Sequence, residues 1–304
     1  MKILILGSNG LVGSSLTRLL NSNNKYEVFP ATRRDADLFS FEETSDLVAK
    51  FNPDILINSA AKVGGIHANN SQRTNFILEN LKININVLEA CINFPNIFII
   101  NLGSSCIYPL EAKNPIVEDS IMTGMLEPTN SPYAMAKLTA IELANSLNLE
   151  YGHEILNLMP TNLYGPGDNF SELESHVIPG LIYRMHEAKI NNEESFRIWG
   201  TGKPLREFLH VDDLASAIDF LINNRPNESL LNIGSGFEIS IFDLAQKIKE
   251  VIDYKGNLIF DDSMPDGNPR KLLDSTKLFN LGWKPKLTLD EGLIDTYKWF
   301  LANY

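Results

Sequence analysis

Short apolar runs alternate with amphipathic segments along the first half of the chain. The apolar runs have the length of strands that are covered on both faces of a sheet. They are Lys2–Leu6, Tyr26–Pro30, Ile55–Ser59, Asn96–Leu102 and Ile155–Met159. Helical spacing fills the intervals at residues 11–20, about 74–93 and 133–146, and Ser40 with Glu43 predicts a capping box at the start of another helix. Strands that alternate with helices predict an α/β fold with a Rossmann-like, doubly wound parallel sheet.

The alternation becomes less regular after Pro160, although helices and strands are still predicted. Helical patterns occupy 177–188 and 211–223, strand patterns occupy 196–199 and 230–233, and two more helices are predicted to begin near 240 and 288. The sequence contains no low-complexity linker. We therefore predict a Rossmann domain at residues 1–165, to which 210–235 return, and a smaller α/β substrate lobe made of 166–209 and 236–304.

Composition and charge narrow the possible partners. The chain has 304 residues, 44% of them hydrophobic, and a formal net charge of −12 with scattered basic residues, so we expect no nucleic-acid partner. No apolar run approaches the ~18 residues of a membrane span, and no signal-peptide pattern precedes the first strand. We therefore expect no membrane partner. The two cysteines are too few for a disulfide framework, which favours a cytoplasmic location. The spacing of His, Cys and acidic residues predicts no metal site.

Three glycines lie between the first strand and the first helix in the spacing G-x-x-G-x-x-G. Gly7 permits a tight turn, Gly10 lets the backbone approach a pyrophosphate, and Gly13 lets the helix pack closely on the sheet. Their placement between a strand and a helix favours a dinucleotide-binding loop over a purely structural turn. The predicted cofactor contacts of this loop are Gly7, Ser8, Asn9, Gly10, Leu11, Val12 and Gly13.

The residues at the end of the second strand commonly discriminate NAD from NADP. A carboxylate there binds the ribose hydroxyl of NAD, whereas an arginine accommodates the 2′-phosphate of NADP. Arg33 and Arg34 stand at this place, and their adjacent guanidinium groups suit a phosphate dianion, although a solvated arginine pair is the alternative. The sequence therefore favours NADP(H) as the cofactor, with Asp37 and Leu38 bordering the adenine.

Tyr133 and Lys137 have the spacing that puts two side chains on one face of a helix. An ammonium beside a phenol stabilises the phenolate, so we expect Lys137 to lower a Tyr pKa that is ordinarily near ~10. Such a tyrosine can donate a proton to a carbonyl oxygen as a hydride arrives. Ser104 directly follows the fourth strand, at the sheet edge where ligands gather, and can bond the same oxygen.

These motifs together resemble those of the extended short-chain dehydrogenase/reductases, in particular the members that act on GDP-sugars. The resemblance runs from the first strand to residues 281–283 and is carried by four stretches, at 60–66, 103–109, 160–166 and 206–213. It implies a reductase triad of Ser104, Tyr133 and Lys137. It also implies that Cys106 and His176 are the base and the acid of an epimerisation, with the assignment of the two roles left open.

The resemblance extends to the binding residues. It implies cofactor contacts at the nicotinamide end by Ala60, Ala61, Leu102, Gly103, Ser105, Pro160, Thr161, Asn162 and Leu163, together with Lys137 and His176. It implies GDP-sugar contacts by Arg184, Trp199, Arg206 and Asp266. Cys91, in contrast, falls among apolar helix positions and is expected in the core.

The implied activity is that of an NADPH-dependent enzyme that epimerises GDP-4-dehydro-6-deoxy-D-mannose at carbons 3 and 5 and then reduces its 4-ketone, giving GDP-L-fucose. A reductase or epimerase of another GDP-deoxysugar, such as a 6-deoxyheptose, is the alternative. A non-catalytic NADP-sensing protein is a further one, against which the complete triad argues. The resemblance also implies a homodimer that pairs through the helices at about 74–93 and 131–150.

Overall fold

The computed structural model describes residues 1–171, 174–264 and 266–304. Within these residues the helices are α1 (Leu11–Asn21), α2 (Phe41–Phe51), α3 (Ile66–Ser71), α4 (Arg73–Ala90), α5 (Ser131–Tyr151), α6 (Val177–Ile190), α7 (Val211–Asn223), α8 (Ile241–Ile252), α9 (Thr276–Leu281) and α10 (Leu289–Asn303). The strands are β1 (Lys2–Leu6), β2 (Glu27–Ala31), β3 (Ile55–Asn58), β4 (Phe98–Leu102), β5 (Ile155–Pro160), β6 (Asn162–Tyr164), β7 (Ser195–Trp199), β8 (Leu205–His210), β9 (Leu230–Ile233), β10 (Glu238–Ser240), β11 (Asn257–Asp261) and β12 (Arg270–Lys271).

Six parallel strands form the main sheet in the order β2-β1-β3-β4-β5-β9. The strands β3, β4 and β5 are buried along their whole length, because helices cover both faces of the sheet. The strand order reverses between β1 and β3, and ligands of such sheets bind in the crevice beyond the carboxyl ends of the strands at this point. The predicted Rossmann-like, doubly wound sheet is confirmed.

The side chains on the two faces of β1 belong to two different apolar cores. Ile3 and Ile5 pack with residues of α1 and α7 on one face. Leu4 and Leu6 pack with residues of α2, α4 and α5 on the other face. This alternation fixes the register of the strand, because a shift by one residue would exchange the two sets of side chains.

A smaller lobe is built on two short sheets. In it β8 pairs with β6, β10 and β12, while β7 pairs with β11. An apolar cluster that contains Phe170, Phe196 and Phe300 fills this lobe. On β8, Phe208 belongs to this cluster, whereas the next residue, Leu209, belongs to the core that contains Ile3 and Ile5. The strand β8 therefore joins the two lobes. Within 210–235, α7 packs beside α1 and β9 extends the main sheet.

The predicted capping box at Ser40 is wrong in one half. The Ser40 hydroxyl accepts the Glu43 N–H at 3.3 Å, as predicted. The Glu43 carboxylate, however, accepts the N–H of Asp37 at 2.8 Å and not that of Ser40, whose own N–H donates to the Asp37 carbonyl at 2.9 Å. The first turn of α2 is therefore bonded to Asp37, in the segment between β2 and α2.

Candidate active site

Glycines shape the loop between β1 and α1. Gly7 has a φ of +78°, and a Cβ on it would lie 2.8 Å from the backbone of Ala60. A Cβ on Gly13 would lie 2.2 Å from the Gly7 carbonyl oxygen, so a larger residue would push α1 away from the sheet. Gly10 is the N-cap of α1 and provides no capping side chain. The first N–H groups of the helix therefore remain available to an anion.

A cleft of about 450 Å³ opens beside this loop, at the carboxyl ends of β1, β2 and β3. The predicted cofactor residues that line it are Gly7, Ser8, Asn9, Gly10, Arg33, Arg34, Asp37, Leu38, Ala60 and Ala61. A Cβ on Gly7 or Gly13 would intrude on the backbone, whereas a Cβ on Gly10 would meet only the Gly7 carbonyl oxygen, at 3.4 Å. The cleft thus fits the adenosine and phosphate groups of a dinucleotide.

The arginines after β2 are presented by a local turn. The Asp35 carboxylate accepts both the N–H and the hydroxyl of Thr32 at 2.8 Å, and the Thr32 hydroxyl accepts the Arg34 N–H at 3.2 Å. The Asp37 carboxylate is similarly engaged by a backbone N–H. Both Arg33 and Arg34 are exposed, and neither guanidinium has a protein partner within the described ranges. The groups left to bind a ligand here are cationic, which suits a 2′-phosphate.

The remaining predicted cofactor residues lie outside this cleft. Leu11, Val12 and Gly13 form the first turn of α1, where Val12 packs against the main core. Leu102 ends β4 and Pro160 ends β5, so the predicted nicotinamide positions at 102–105 and 160–163 share one edge of the sheet. There the side chains of Thr161 and Asn162 both donate to the Glu207 carbonyl, at 3.2 and 2.8 Å, which ties the end of β5 to β8.

The structure brings Ser104, Tyr133 and Lys137 together below the end of β4. The Lys137 ammonium lies 5.8 Å from the centre of the Tyr133 ring and donates to the Leu102 carbonyl at 2.6 Å. The Ser104 hydroxyl lies close enough to the Tyr133 phenol to lower its pKa, and it accepts the Cys106 N–H at 3.2 Å. Hydroxyl, phenol and ammonium are thus arranged around one point, as a carbonyl-reducing site requires.

Burial governs protonation in this cluster. It raises the pKa of Tyr133, as does the charge of Cys106, whereas the bond with Ser104 lowers it. Burial also lowers the pKa of Lys137 to about 8. The expectation that Lys137 lowers the Tyr133 pKa is wrong, because the phenol loses its hydration and the ammonium bonds to the Leu102 carbonyl. A phenol with a raised pKa keeps its proton at neutral pH, as a proton donor must.

Cys106 is half-buried and packs beside Tyr133. Its Sγ atom accepts the Asn130 side-chain amide at 3.6 Å and the Lys271 ammonium at 3.7 Å. Neither of these two residues was predicted from the sequence, because no local pattern relates them to Cys106. The other cysteine, Cys91, is fully buried as predicted, in the core that contains Leu4 and Leu6, and burial raises its pKa to about 12, so its thiol stays neutral.

His176 is the N-cap residue of α6. The segment before it packs on the loop 64–65, where Gly65 donates its N–H to the Glu174 carbonyl at 2.9 Å. This loop in turn lies against Phe76, whose ring meets the Tyr133 ring edge-on at 6.5 Å. These contacts link the backbone just before His176 to the residues that pack against Tyr133. Although its side chain reaches solvent, the surrounding protein desolvates the imidazole and lowers its pKa.

The four predicted substrate residues form a second cluster in the smaller lobe. The Arg184 guanidinium lies 5.9 Å from the centre of the Trp199 ring, which is 56% exposed. The Asp266 carboxylate accepts the N–H and hydroxyl of Thr201 at 2.6 and 2.8 Å, which lowers its pKa. Arg206 is partly buried and feels the charge of Asp266. An exposed indole with one guanidinium group over its ring suits a nucleotide base and a phosphate.

The segment that follows Arg206 connects the lobes through buried carboxylates. Glu207 is fully buried and accepts the N–H groups of Gly236 and Leu273, at 2.8 and 3.1 Å. Asp213 accepts those of residues 286 and 287, both at 3.0 Å. The resemblance assigned a role only to Arg206 here. The other acidic residues hold distant segments in place, and so they position the site without lining it.

One group of potential metal ligands occurs within the described residues. His210, Asp212 and Asp295 place a ligand atom each within 4.8 Å of one another. The Asp212 N–H, however, donates to Nδ1 of His210 at 3.3 Å, so the proton of the neutral ring lies on Nε2, which faces Asp295 at 3.4 Å. The Asp212 carboxylate binds Ser15 and Arg18. Protein hydrogen bonds thus use Nδ1 of His210 and the Asp212 carboxylate, and we assign this group no metal.

Comparisons with known proteins agree with this geometry. Residues 3–234 match the NAD dependent epimerase/dehydratase family. The chain is 46% identical over 303 residues to a probable GDP-L-fucose synthase of Oryza sativa subsp. japonica, with 99% of this chain and 92% of the relative covered. It is 44% identical over 311 residues to the GDP-L-fucose synthase of Escherichia coli strain K12, with 99% and 97% covered.

Solved structures give the same picture. The fold matches the crystal structure of a GDP-L-fucose synthetase from Naegleria fowleri bound to NADP with a TM-score of 0.91 and 29% identity, covering 100% of this chain and 94% of that one. Among the described helices, none combines the length and the apolar character that crossing a bilayer requires.

Proposed function

This chain belongs to the NAD dependent epimerase/dehydratase family, and on that premise we propose that it is an NADPH-dependent GDP-L-fucose synthase. It epimerises GDP-4-dehydro-6-deoxy-D-mannose at carbons 3 and 5 and reduces the 4-ketone of the product. The observation that carries this proposal is the convergence of Ser104, Cys106 and Tyr133, which puts two hydroxyl donors and a thiol around one point.

Epimerisation needs a base, an acid and a donor for the charge that develops. The 4-ketone acidifies the protons on carbons 3 and 5, and Cys106 or His176 removes one of them. The electron pair of the broken C–H bond moves onto the ketone oxygen, where the hydroxyl groups of Ser104 and Tyr133 donate to it. The other member of the pair returns a proton to the opposite face, which inverts the carbon.

Reduction uses the same ketone. NADPH, when bound, supplies the hydride. The glycine loop and the Arg33–Arg34 pair hold its phosphates in the cleft described above. The Tyr133 phenol gives its proton to the ketone oxygen, while the Lys137 ammonium lies 5.8 Å from the centre of the Tyr133 ring.

Cys106→Ser and His176→Gln should separate the two halves of the reaction. A hydroxyl is a much poorer base than a thiolate, and glutamine carries no transferable proton. Both variants should lose most solvent deuterium uptake at carbons 3 and 5, while direct reduction of the un-epimerised ketone survives because the triad is unchanged. Products formed with NADPH and substrate in heavy water are identified by NMR.

The matched control is Cys91→Ala, which removes the buried core thiol and should leave the products unchanged. Deuterated GDP-L-fucose formed at the wild-type rate by both site variants would show that Cys106 and His176 take no part. A wild-type product that retains the original configuration would instead indicate a reductase of another GDP-deoxysugar.

We further propose that the enzyme is a cytoplasmic homodimer. The exposed apolar residues Leu78 and Ile85 on α4 and Met135 on α5 suit pairing of these helices across a two-fold axis. Light scattering after size-exclusion chromatography measures the oligomeric state, and cell fractionation measures the location.

A further inference from the structure

The loop of Gly64 and Gly65 in the Rossmann domain contacts the backbone of Glu174 and Ser175, which leads directly into His176 and α6. The Gly65 N–H donates to the Glu174 carbonyl at 2.9 Å. A Cβ on Gly65 would lie only 2.5 Å from the Ser175 carbonyl oxygen, and a Cβ on Gly64 would lie 3.7 Å from the Glu174 carbonyl oxygen. The close approach of these two backbone segments therefore requires a residue without a side chain at position 65.

The backbone conformation of Gly65 does not itself require glycine. Its φ of −65° and ψ of 179° are open to any residue. The turn is also held from its own side, because the buried side chain of Asn69 donates to the carbonyls of Gly64 and Gly65 at 2.7 and 3.1 Å. The missing Cβ thus serves the contact with residues 174 and 175.

Further contacts hold the same segment. The Gln72 side-chain amide, at the start of α4, donates to the Glu174 carboxylate at 3.2 Å. On the other side, the Gly180 N–H donates to the His176 carbonyl at 2.9 Å in the first turn of α6. A Cβ on Gly180 would lie 2.7 Å from the Ser175 hydroxyl oxygen, so the Ser175 side chain lies against this helix. The backbone of His176 is therefore fixed from both directions.

The position of the His176 imidazole depends on this backbone. Within the described residues, the imidazole has no hydrogen-bond partner of its own. The loop of Gly64 and Gly65 packs against Phe76, whose ring meets the Tyr133 ring edge-on. The helix α6, in contrast, packs into the apolar cluster of the smaller lobe. The contact at Gly65 therefore joins the start of α6 to the part of the Rossmann domain that surrounds Tyr133.

We infer that Gly65 and Gln72 are positioning residues for His176, because together they dock the segment 174–176 on the Rossmann domain and so fix where the imidazole stands relative to Tyr133. The inference rests on the proposed function, in which His176 is one of the two proton carriers of the epimerisation. Hydride reduction uses the triad, which this contact does not touch. A misplacement of about 1 Å can cost on the order of 100-fold in rate, so a displaced His176 should impair epimerisation far more than reduction.

Gly65→Ala tests the contact directly. Its methyl group should push the segment 174–176 away from the loop, lower solvent deuterium uptake at carbons 3 and 5 by about tenfold or more, and leave direct reduction of the ketone within about threefold of the wild-type rate. Uptake in heavy water is measured by NMR, and reduction is measured by the oxidation of NADPH. Gln72→Ala, which removes a bond without adding atoms, should lower uptake about threefold.

A second readout needs no substrate. In protein that contains isotopically labelled histidine, the imidazole Cε1–H signal of His176 is identified by its loss in His176→Gln. This signal should shift in Gly65→Ala and, by a smaller amount, in Gln72→Ala. Gly256→Ala is the matched control, because its Cβ would meet the Glu193 carbonyl oxygen at 2.8 Å, beyond the opposite end of α6. It should leave the signal and the ratio of uptake to reduction unchanged, whatever it costs in Tm.

An unmoved His176 signal in Gln72→Ala and in folded Gly65→Ala, or an equal loss of uptake and reduction, would overturn the inference. Gln72→Ala alone decides the question where Gly65→Ala does not fold. Because the signal is recorded without substrate, a shifted signal together with a wild type that forms no GDP-L-fucose would overturn the proposed function and leave the placement of His176 standing.

Discussion

At the scale of single residues, burial shifts the pKa values of ionisable groups in the site away from their values in water. Lys137 shows this most clearly, because its ammonium is buried and its pKa falls to about 8 from 10.5. The bond to the Leu102 carbonyl compensates only part of the lost hydration. The charge is thus retained at a cost to the stability of the folded protein.

Lys137→Met should reveal this cost through its pH dependence. A folded-state pKa below the unfolded one means that the folded protein binds fewer protons between pH 8 and pH 10.5, so the cost is full below pH 8 and disappears as the pH rises. The stability of Lys137→Met relative to wild type should therefore fall by about 2 kcal/mol from pH 7 to pH 9.5, at about 1.4 kcal/mol per pH unit. Urea unfolding at several pH values measures it.

Lys189→Met is the matched control, since it removes an exposed ammonium that makes the same kind of bond, to the Ile252 carbonyl at 2.6 Å. A constant difference from wild type is expected for it. A Lys137→Met difference that is equally constant across the pH range would contradict the assigned burial cost. Activity should be lost in Lys137→Met at every pH.

At the scale of elements, β8 places substrate residues by alternation. Arg206 turns toward the substrate cluster, while Glu207 turns inward and fastens the segments that contain Gly236 and Leu273. The long buried strands were predictable because each is a continuous apolar run. β6, β10 and β12 have three residues or fewer, too few to show a period, and their partners on β8 come from distant parts of the chain.

Arg206→Ala should chiefly raise the KM for the GDP-sugar, by about tenfold to a hundredfold, because it removes a charge-assisted bond of about 1.5–3 kcal/mol. The affinity for NADPH should stay unchanged, because the nucleotide cleft is lined by other elements. Steady-state kinetics and cofactor titration give the two quantities. Arg197→Ala, an exposed arginine of the same lobe that pairs with Asp261, should alter neither, and an effect of Arg206→Ala on NADPH alone would refute its assignment.

At the scale of the whole molecule, the cofactor end of the site depends on local sequence motifs, whereas the surroundings of Cys106 depend on residues that are distant along the chain. The glycine loop and the Arg33–Arg34 pair are local motifs, so the cofactor end of the site could be predicted from the sequence. The surroundings of Cys106 could not, because Asn130 and Lys271 are 24 and 165 residues away from it along the chain. Tertiary packing brings Asn130 to the sulfur atom within the Rossmann domain, and the packing of the smaller lobe brings Lys271 to it.

The cofactor cleft joins three strand ends, so binding there should stabilise the fold as a whole. A ligand at 100 times its Kd adds about 2.7 kcal/mol to the free energy of unfolding. Arg33 and Arg34 are expected to contact the 2′-phosphate, which only NADPH carries. At equal concentrations NADPH should therefore raise the Tm of the wild type more than NADH does, and in the double variant Arg33→Ala/Arg34→Ala the two shifts should become equal.

Arg18→Ala, which removes an exposed arginine paired with Asp212 outside the cleft, should keep the preference. Equal shifts with the two cofactors in the wild type would identify Arg33 and Arg34 as a solvated surface pair.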